Sequence, residues 1–313
     1  MAVTDRTRTT PPPLARPVRR PRDAAARAAG PGVLLALIAT VVWSGSFVAT
    51  RGMADTVPPV QAVFWRWIIA AAAVAPFAAR QAWRQRHLIR RHLPYTALAS
   101  FFGVALYNTL VHQAGLTTSA ANMGMIMAAS PVVMTLYARA GGERLGPRRT
   151  LGLLTALAGV LLLVGDGSLS PRFGAGDLWM FGAALCFATY SALLRRKPAE
   201  LGGPAFLLTT FVLGALMLAP AYAVSLHLQG GFAPTPGTAG MLLYVGVMSS
   251  AVAFFAWNKA VTLIGAARAG VVYYLQPVCV AGLGLLLLGE RTGPSELLCT
   301  ALILGGVALG ARR

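Results

Sequence analysis

The chain has 313 residues, of which 56% are hydrophobic and only 12% are charged. Because soluble globular proteins carry about 25% charged residues, this composition excludes a protein whose whole surface faces water. The net charge of +18 is compatible with nucleic-acid binding, but the arginines cluster in short segments between apolar runs, where they anchor helix ends in a bilayer. We therefore expect a lipid bilayer, and not nucleic acid, around the protein.

The chain begins with a polar segment and continues as a series of apolar runs. Residues 1–32 are rich in Arg, Pro, Thr and Ala and offer almost nothing to bury, which predicts a disordered basic tail in the cytoplasm. From residue 33 the apolar runs are roughly 18 to 22 residues long, enough to cross a hydrocarbon layer of about 30 Å. The sequence predicts an all-α membrane protein with ten transmembrane helices. Their approximate bounds are 33–50, 60–79, 94–115, 119–138, 150–165, 178–194, 205–227, 239–257, 269–288 and 295–311.

The basic residues predict the orientation of these spans. With the N-terminus inside, 23 of the 27 lysines and arginines fall in segments on the inner side, and only Arg51, Arg172 and Arg291 fall on the outer side. This asymmetry follows the positive-inside rule. It predicts a multi-pass protein of the inner (plasma) membrane with both termini in the cytoplasm.

Two hexapeptides show that the second half of the chain repeats the first. Residues 142–147 have the sequence Gly-Glu-Arg-Leu-Gly-Pro and residues 289–294 have Gly-Glu-Arg-Thr-Gly-Pro, and a proline within a span precedes each. The repeat divides the spans into two five-helix domains, 33–165 and 176–311. Because five is an odd number, the two repeats must be inverted relative to each other, the architecture that permits alternating access to a central site.

Four segments carry a family resemblance. They are WSGSF at residues 43–47, FWRW at 64–67, and the two stretches from a proline through the Gly-Glu-Arg motif, 131–147 and 277–294. This set resembles the drug/metabolite transporter superfamily, specifically a permease with two EamA domains, over residues 33–311. The resemblance implies ten helices, cytoplasmic termini and a central cavity lined mainly by helices 1, 3, 4, 6, 8 and 9. It also implies a secondary transporter that exports amino acids, metabolites or toxic compounds.

Polar and aromatic side chains at span depth are the candidates for lining a substrate cavity. Aromatic faces with a few hydrogen-bonding groups suit a small amphipathic ligand. The alternatives for each residue are an aromatic at the membrane interface or a hydrogen bond between helices. The substrate-binding candidates are Trp43, Ser46, Arg66, Tyr107, Asn108, Tyr273, Tyr274 and Gln276.

Arg66 is the only basic residue well inside a predicted span. An arginine at the bilayer centre costs roughly 2.5–3.5 kcal/mol on insertion scales, so it should face protein or water. Two interpretations stay open: a structural arginine that ties helix 2 to its neighbours, or an anchor for a substrate carboxylate. The expected substrate is a neutral, zwitterionic or anionic small molecule, because no acidic residue lies in the middle of a span to attract a cation.

Four further residues are predicted to have structural or gating roles. Pro131 and Pro277 are expected to kink helices 4 and 9 and to free backbone carbonyls. Glu143 and Glu290 lie at helix ends beside arginines. We expect them to cap the amides at the start of helices 5 and 10, with proton coupling as the alternative.

The residues that would favour an enzyme are missing from the sequence. Cys186, Cys279 and Cys299 lie in apolar runs without metal-ligand spacing, so we expect no disulfide, metal or cofactor. No Ser/His/Asp arrangement or carboxylate cluster is evident, and we therefore predict a transporter that is not an enzyme. The alternatives are a membrane enzyme acting on a lipid or isoprenoid carrier, and a channel or scaffold. Homodimer formation stays open.

Overall fold

The computed structural model describes residues 21–128, 130, 133, 136–137, 147–164, 174–273, 275–291 and 293–311. Within these ranges all regular secondary structure is helical, so the all-α class is confirmed. The described elements are α1 Pro21–Gly52, α2 Pro59–Arg84, α3 Arg86–Arg91, α4 Leu93–Ser100, π1 Phe101–Leu106, α5 Tyr107–Ala114, α6 Ala120–Ala128, α7 Pro147–Val164, α8 Ala175–Arg195, α9 Gly203–Gln229, α10 Pro236–Leu243, π2 Tyr244–Val252, α11 Ala253–Tyr273, α12 Gln276–Leu288 and α13 Pro294–Ala311.

Five of the described helical segments are long and apolar enough to cross a membrane. They are Gly30–Gly52, Pro59–Arg84, Ala175–Leu194, Gly203–Gln229 and Pro236–Trp257. These segments correspond to the predicted spans 1, 2, 6, 7 and 8. Two shorter apolar helices, Gln276–Leu288 and Leu297–Gly306, lie where spans 9 and 10 were predicted.

The first helix begins earlier than the sequence predicted. α1 starts at Pro21, so residues 21–32 are helical and not part of a disordered tail. Two local features account for the correction: proline is favoured in the first turn of a helix, and five of residues 24–29 are alanine, the best helix former. Residues 1–20 lie outside the described part of the chain.

The segment α11 bends sharply within its length. It is helical from Ala253 to Tyr273, yet the rings of Trp257 and Tyr273 lie only 5.7 Å apart. A straight helix would separate these residues by about 24 Å at 1.5 Å per residue, so the backbone must fold back between them. The bend lies between Trp257 and Tyr273, a range that includes the predicted link between spans 8 and 9.

Pro277 has a different structural role from the one predicted. It lies in the first turn of α12, which begins at Gln276, and not in the interior of a longer helix. The first turn needs no backbone N–H from the proline, so the residue starts this helix and does not kink it. At the other end of α12, Gly289 adopts φ +70° and terminates the helix in the left-handed conformation that glycine favours.

Two segments depart from regular α-helix within the third and eighth predicted spans. π1 and π2 are π-helical, and such insertions leave carbonyl groups available to other donors. The Trp67 indole N–H donates to the Val104 carbonyl of π1 at 3.1 Å. The Trp43 indole N–H donates to the Ser249 carbonyl of π2 at 2.9 Å. An indole thus compensates for the irregular backbone in each case.

Helices from both halves of the chain share the apolar core. α1 packs against α11 and α12, α2 against α9, α5 against α8, α6 against α8 and α12, and α7 against α13. The largest buried cluster includes Met123 and Met125 of α6, Val280 of α12 and Ile303 of α13. This packing brings α1, α2, π2 and α12 together around the residues described next.

Candidate functional site

Arg66 lies in α2 and is only 6% exposed. Its guanidinium donates to three serine hydroxyls, at 3.3 Å to Ser46, 3.2 Å to Ser249 and 3.3 Å to Ser250. Its Cζ also lies 5.3 Å from the centre of the Trp67 ring, a cation–π contact. The arginine therefore joins α2 to α1 and to π2.

The geometry of π2 explains how two consecutive serines reach one guanidinium. Neighbouring residues of an α-helix point about 100° apart, and the wider π-helical turn reduces this angle. Gly246 of the same segment lets α2 approach closely. A Cβ atom there would lie 2.6 Å from Ile69 Cγ2 and 3.2 Å from the Arg66 carbonyl oxygen. Both features bring Ser249 and Ser250 against Arg66.

The charge of Arg66 has no anionic partner among the described residues. Their ion pairs are Arg51–Glu290 and His92–Glu200, both near helix ends. Buried charges in proteins are normally paired or fully hydrogen-bonded. Three neutral hydroxyls replace part of the hydration of the guanidinium but leave its positive charge uncompensated. The site is therefore electrostatically complementary to an anion.

Four aromatic rings lie close to Ser249 and Ser250. The Trp43 indole is bonded to the Ser249 carbonyl, and its ring lies 5.5 Å, 5.4 Å and 5.9 Å from the rings of Phe254, Trp257 and Tyr273. Trp43, Trp257 and Tyr273 are each partly exposed. Such faces next to a few polar groups are typical of small-molecule sites.

Gln276, the first residue of α12, is 1% exposed. Its backbone carbonyl lies 3.3 Å from Ser44 Oγ, whose hydroxyl is shared with the Thr40 carbonyl at 2.7 Å. Its side-chain oxygen Oε1 is the only fully buried side-chain N or O atom of the described residues that has no hydrogen-bond partner. Since most buried polar atoms are paired, Gln276 adds an unsatisfied acceptor to the cluster.

The two candidates in α5 differ in their environments. Tyr107 is half-buried and packs on Phe187 with ring centres 5.7 Å apart. Asn108 is buried, and its side-chain amide donates to the Val104 carbonyl of its own helix at 3.1 Å. The Asn108 amide therefore satisfies the backbone of π1, which favours a structural role over substrate binding.

Glu290 contacts a helix other than the one predicted. Its Oε2 accepts from the backbone N–H of Ala120 at 3.0 Å and its Oε1 lies 3.4 Å from Arg51 Nε. It therefore caps the start of α6 and not of α13, because Gly289 turns the chain back at the end of α12. Arg51 also donates to the Gly115 carbonyl at 3.4 Å. We call Arg51, Glu290 and the Ala120 amide the clasp.

Asp177 is a polar residue that the sequence analysis did not select. It is 9% exposed, and its Oδ1 accepts from Asn122 Nδ2 at 2.6 Å and from Thr118 Oγ1 at 3.2 Å. These bonds tie the start of α8 to the start of α6. A carboxylate in the first turn of a helix is common in any fold, so the position of Asp177 does not by itself indicate a function. Its hydrogen bond with Asn122 is the feature that goes beyond this common arrangement.

The remaining candidates either lie outside the described part of the chain or line a separate cavity. Tyr274, Pro131 and Glu143 lie outside the described residues. A cavity of about 520 Å³ between α12 and α13 includes Pro277 and Gly282 in its lining, but not Arg66. The structure thus brings together Trp43, Ser46, Arg66, Tyr273 and Gln276, and adds Ser249 and Ser250, which the sequence analysis missed.

Comparison with known proteins identifies the family. Two stretches, residues 30–165 and 174–311, match the EamA-like transporter family. The chain belongs to this family. The predicted resemblance is confirmed, and the EamA-like chain is a multi-pass membrane protein of the transporter type.

Individual relatives of this EamA-like chain are also named as transporters. An uncharacterized transporter of Archaeoglobus fulgidus is 27% identical over 82% of the chain and 89% of its own length. A "probable terminal-alkyne amino-acid exporter" of Streptantibioticus cattleyicolor is 27% identical over 89% of the chain and 93% of its own length. One crystal structure matches with a TM-score of 0.62 and 22% identity, covering 89% of the chain and 95% of that protein. This last likeness supports the fold alone.

Proposed function

We propose that this EamA-like chain is a secondary transporter that exports a small molecule bearing a carboxylate, such as an amino acid or a related metabolite, by alternating access. The observation that carries the proposal is Arg66, a buried cation held by three hydroxyls and by no carboxylate among the described residues. The name of the Streptantibioticus relative supports an amino acid as the substrate.

A carboxylate suits this arrangement for electrostatic and geometric reasons. The planar guanidinium presents parallel N–H groups that bind a carboxylate through two hydrogen bonds. Serine hydroxyls both donate and accept, so Ser249 can accept from Arg66 and donate to a substrate oxygen. Binding would compensate a charge that is otherwise unpaired in a low-dielectric environment. The same charge disfavours cationic drugs.

The packing of the helices supports two inverted repeats of five spans. If the two halves are exchanged, the contact of α1 with α11 becomes that of α8 with α5, and α1 with α12 becomes α8 with α6. The contact of α2 with π2 likewise becomes α9 with π1, and the pairs α2–α9, α6–α12 and α7–α13 map onto themselves. Pairing of this kind is what a pseudo-twofold axis in the membrane plane produces, and such repeats exchange conformations around a central site.

The clasp supports a conformation that is closed on the outer side. With both termini in the cytoplasm of an inner-membrane protein, the end of α1, the start of α6 and the end of α12 all lie at the outer surface. Glu290 links the three through Arg51 and the Ala120 amide. Opening toward the outside would require these contacts to break, and the substrate would leave by that route.

Arg66→Ala is the variant that tests the proposal. Without the cation we expect binding of the carboxylate substrate to weaken about 10- to 100-fold, since hydrogen bonds to charged groups contribute about 1.5–3 kcal/mol. Arg66→Lys keeps the positive charge but lacks the two parallel N–H donors of the guanidinium, so it should retain part of the affinity. The measurements are ligand-dependent thermal stabilisation of the purified protein and efflux from cells that overproduce it, over a panel of amino acids and carboxylic acids.

Arg80→Ala is the matched control, because Arg80 lies in the same helix but is exposed. It should leave binding and efflux unchanged. Equal binding by wild type and Arg66→Ala would refute the role of Arg66. Flux that does not saturate with substrate concentration would refute the carrier mechanism and favour a channel.

A further inference from the structure

The groove between α12 and α13 is an apolar cavity on the outside of the bundle. Its volume of about 520 Å³ lies within the range of roughly 300–1,000 Å³ that is usual for small-molecule sites. Val278, Ala281 and Leu285 of α12, Leu297 of α13 and Met125 of α6 line it. Val278, Leu285 and Leu297 are each more than half exposed. Because an exposed apolar surface of a membrane protein contacts lipid, the groove opens toward the hydrocarbon of the bilayer.

Gly282 leaves space in this groove. It lies on the exposed side of α12, and among the described residues no atom outside the local helix backbone lies within 4 Å of a Cβ built there. Gly284 of the same helix is buried, and a Cβ there would lie 3.5 Å from Glu290 Oε2. The groove therefore has room along the Gly282 side of α12 for a slender apolar group such as an acyl chain.

Arg291 lies at one end of the groove. It follows the end of α12 at Leu288, it is exposed, and it is the only charged residue among the described residues of the lining. The adjacent carboxylate of Glu290 contacts Arg51 and the Ala120 amide instead. The ion pairs of the described residues do not include Arg291. Its charge is therefore complementary to an anion at the mouth of the groove.

The length of the groove matches one leaflet of a bilayer. From Pro277, which also lines it, to Leu288 the rise along α12 is about 16 Å at 1.5 Å per residue. Half of a hydrocarbon layer of about 30 Å is about 15 Å. With Arg291 at the level of the headgroups, an acyl chain that follows α12 toward Pro277 would reach about the middle of the bilayer.

We infer that this groove binds one anionic phospholipid, with its phosphate at Arg291 and one acyl chain over Gly282 between α12 and α13. The guanidinium binds phosphate oxygens through parallel N–H groups, and the apolar lining excludes water from the chain. Both features are needed, since the groove alone does not select a headgroup and the arginine alone does not hold a chain. This lipid site does not include Arg66 and is independent of the substrate.

The experiment uses the full-length protein in liposomes that contain a photoactivatable phosphatidylglycerol with a diazirine in one acyl chain. After irradiation, mass spectrometry of peptides should locate the label on the parts of α12 and α13 that line the groove. Excess phosphatidylglycerol should compete for this labelling about fivefold better than phosphatidylcholine, because one arginine near the surface contributes this much to binding of an anionic lipid. Glycerol phosphate, which has no acyl chain, should not compete.

Gly282→Leu places a side chain in the groove and should abolish this labelling. Arg291→Gln should remove the preference for phosphatidylglycerol, and its exposed position keeps the test decisive if the leucine variant does not fold. Gly305→Leu is the matched control for Gly282: Gly305 is an exposed glycine of α13 with no atom of the described residues, outside the local helix backbone, within 4 Å of its Cβ, and it does not line the groove. Arg84→Gln removes an exposed charge at the end of α2 and is the control for Arg291. Both controls should label as the wild type does.

Two results would overturn the lipid site. Undiminished labelling of Gly282→Leu, or equal competition by the two phospholipids, would mean that only ordinary surrounding lipid contacts the groove. A disulfide between two copies of a cysteine-free chain that carries Leu297→Cys would mean that a second copy covers it. Either result leaves the proposed transport through Arg66 unaffected, because the two sites share no residue.

Discussion

Arg66 is stabilised by hydroxyl groups, and this choice of partner has consequences for binding. A carboxylate from the protein would neutralise the guanidinium permanently and leave no charge for a ligand. Hydroxyls satisfy its N–H groups and can rotate when a ligand arrives. The serines therefore stabilise the buried arginine through hydrogen bonds and do not neutralise its positive charge.

Replacing Ser249 and Ser250 together by alanine should destabilise the protein measurably. Hydrogen bonds between membrane helices contribute about 0.6 kcal/mol on average and up to about 1.7, and bonds to a charged donor belong at the upper end. We expect the double variant to lose about 2–3 kcal/mol of unfolding free energy, with part of the loss recovered when a carboxylate ligand is bound. Denaturant unfolding in detergent measures both quantities.

Ser191→Ala is the control for this pair, because among the described residues the Ser191 hydroxyl bonds the Phe187 carbonyl of its own helix and no neighbouring helix. Such bonds contribute little to tertiary stability. If the double variant and the control unfold at the same denaturant concentration, the serines do not stabilise the contact between α2 and π2.

The sequence identified Arg66 because a lone arginine within an apolar span is conspicuous. It did not identify the partners. Ser249 and Ser250 lie more than 180 positions away in the chain, and serines are common in membrane helices. Their relevance depends on the packing of π2 against α2, which no local pattern reports.

At the scale of the element, Gly246 controls the approach of π2 to α2. A Cβ at this position would be 2.6 Å from Ile69 Cγ2 and 3.2 Å from the Arg66 backbone oxygen. Gly246→Ala should therefore force the helices apart and lower the unfolding free energy by about 1–3 kcal/mol. The displacement should also weaken substrate binding, because Ser249 and Ser250 move with the segment.

Gly240→Ala provides the control in the same predicted span. Among the described residues, no atom outside the local helix backbone lies within 4 Å of a Cβ at Gly240. Alanine also favours helix over glycine by up to about 1 kcal/mol. This variant should be as stable as the wild type or more so in thermal unfolding. Loss of stability in both variants would indicate a general intolerance to substitution and not a close contact at Gly246.

Several elements could not be predicted from local sequence for identifiable reasons. Hydropathy located α2, α8 and α9 well. It does not report which backbone N–H pairs with which carbonyl, so it did not distinguish π1 and π2 from α-helix. The start of α12 at Gln276 has a local signal in Pro277, but the same proline also fits the interior of a longer membrane helix, which is where the sequence analysis placed it. Glu290 was assigned to α13 because α13 follows it directly, whereas the left-handed turn at Gly289 leaves it beside α6.

In the whole molecule, the matching helix contacts of the two halves and the Gly-Glu-Arg repeat are both explained by the proposed pseudo-twofold axis. The first helix of the first half, α1, contacts α11 and α12 of the second half. The first helix of the second half, α8, contacts the equivalent α5 and α6 of the first half. Arg66 lies in the first half, whereas Ser249 and Ser250 lie in the second. In the proposed alternating-access cycle, movement of one half against the other would therefore alter these hydrogen bonds and couple substrate binding at Arg66 to the conformation of the bundle.

The proposed inversion of the halves predicts that the two Gly-Glu-Arg motifs lie on opposite sides of the membrane. Arg148 follows the first Gly-Glu-Arg motif and Arg291 belongs to the second, and both side chains are exposed. In a chain whose three native cysteines are replaced, a membrane-impermeant maleimide should label Arg291→Cys in intact cells and Arg148→Cys only after permeabilisation. Arg84→Cys, at the end of α2 that the proposed orientation puts inside, should behave like Arg148→Cys. Labelling of Arg148→Cys and Arg291→Cys from the same side would mean that the halves are parallel, and a symmetric exchange between inward-open and outward-open states would then lack its structural basis.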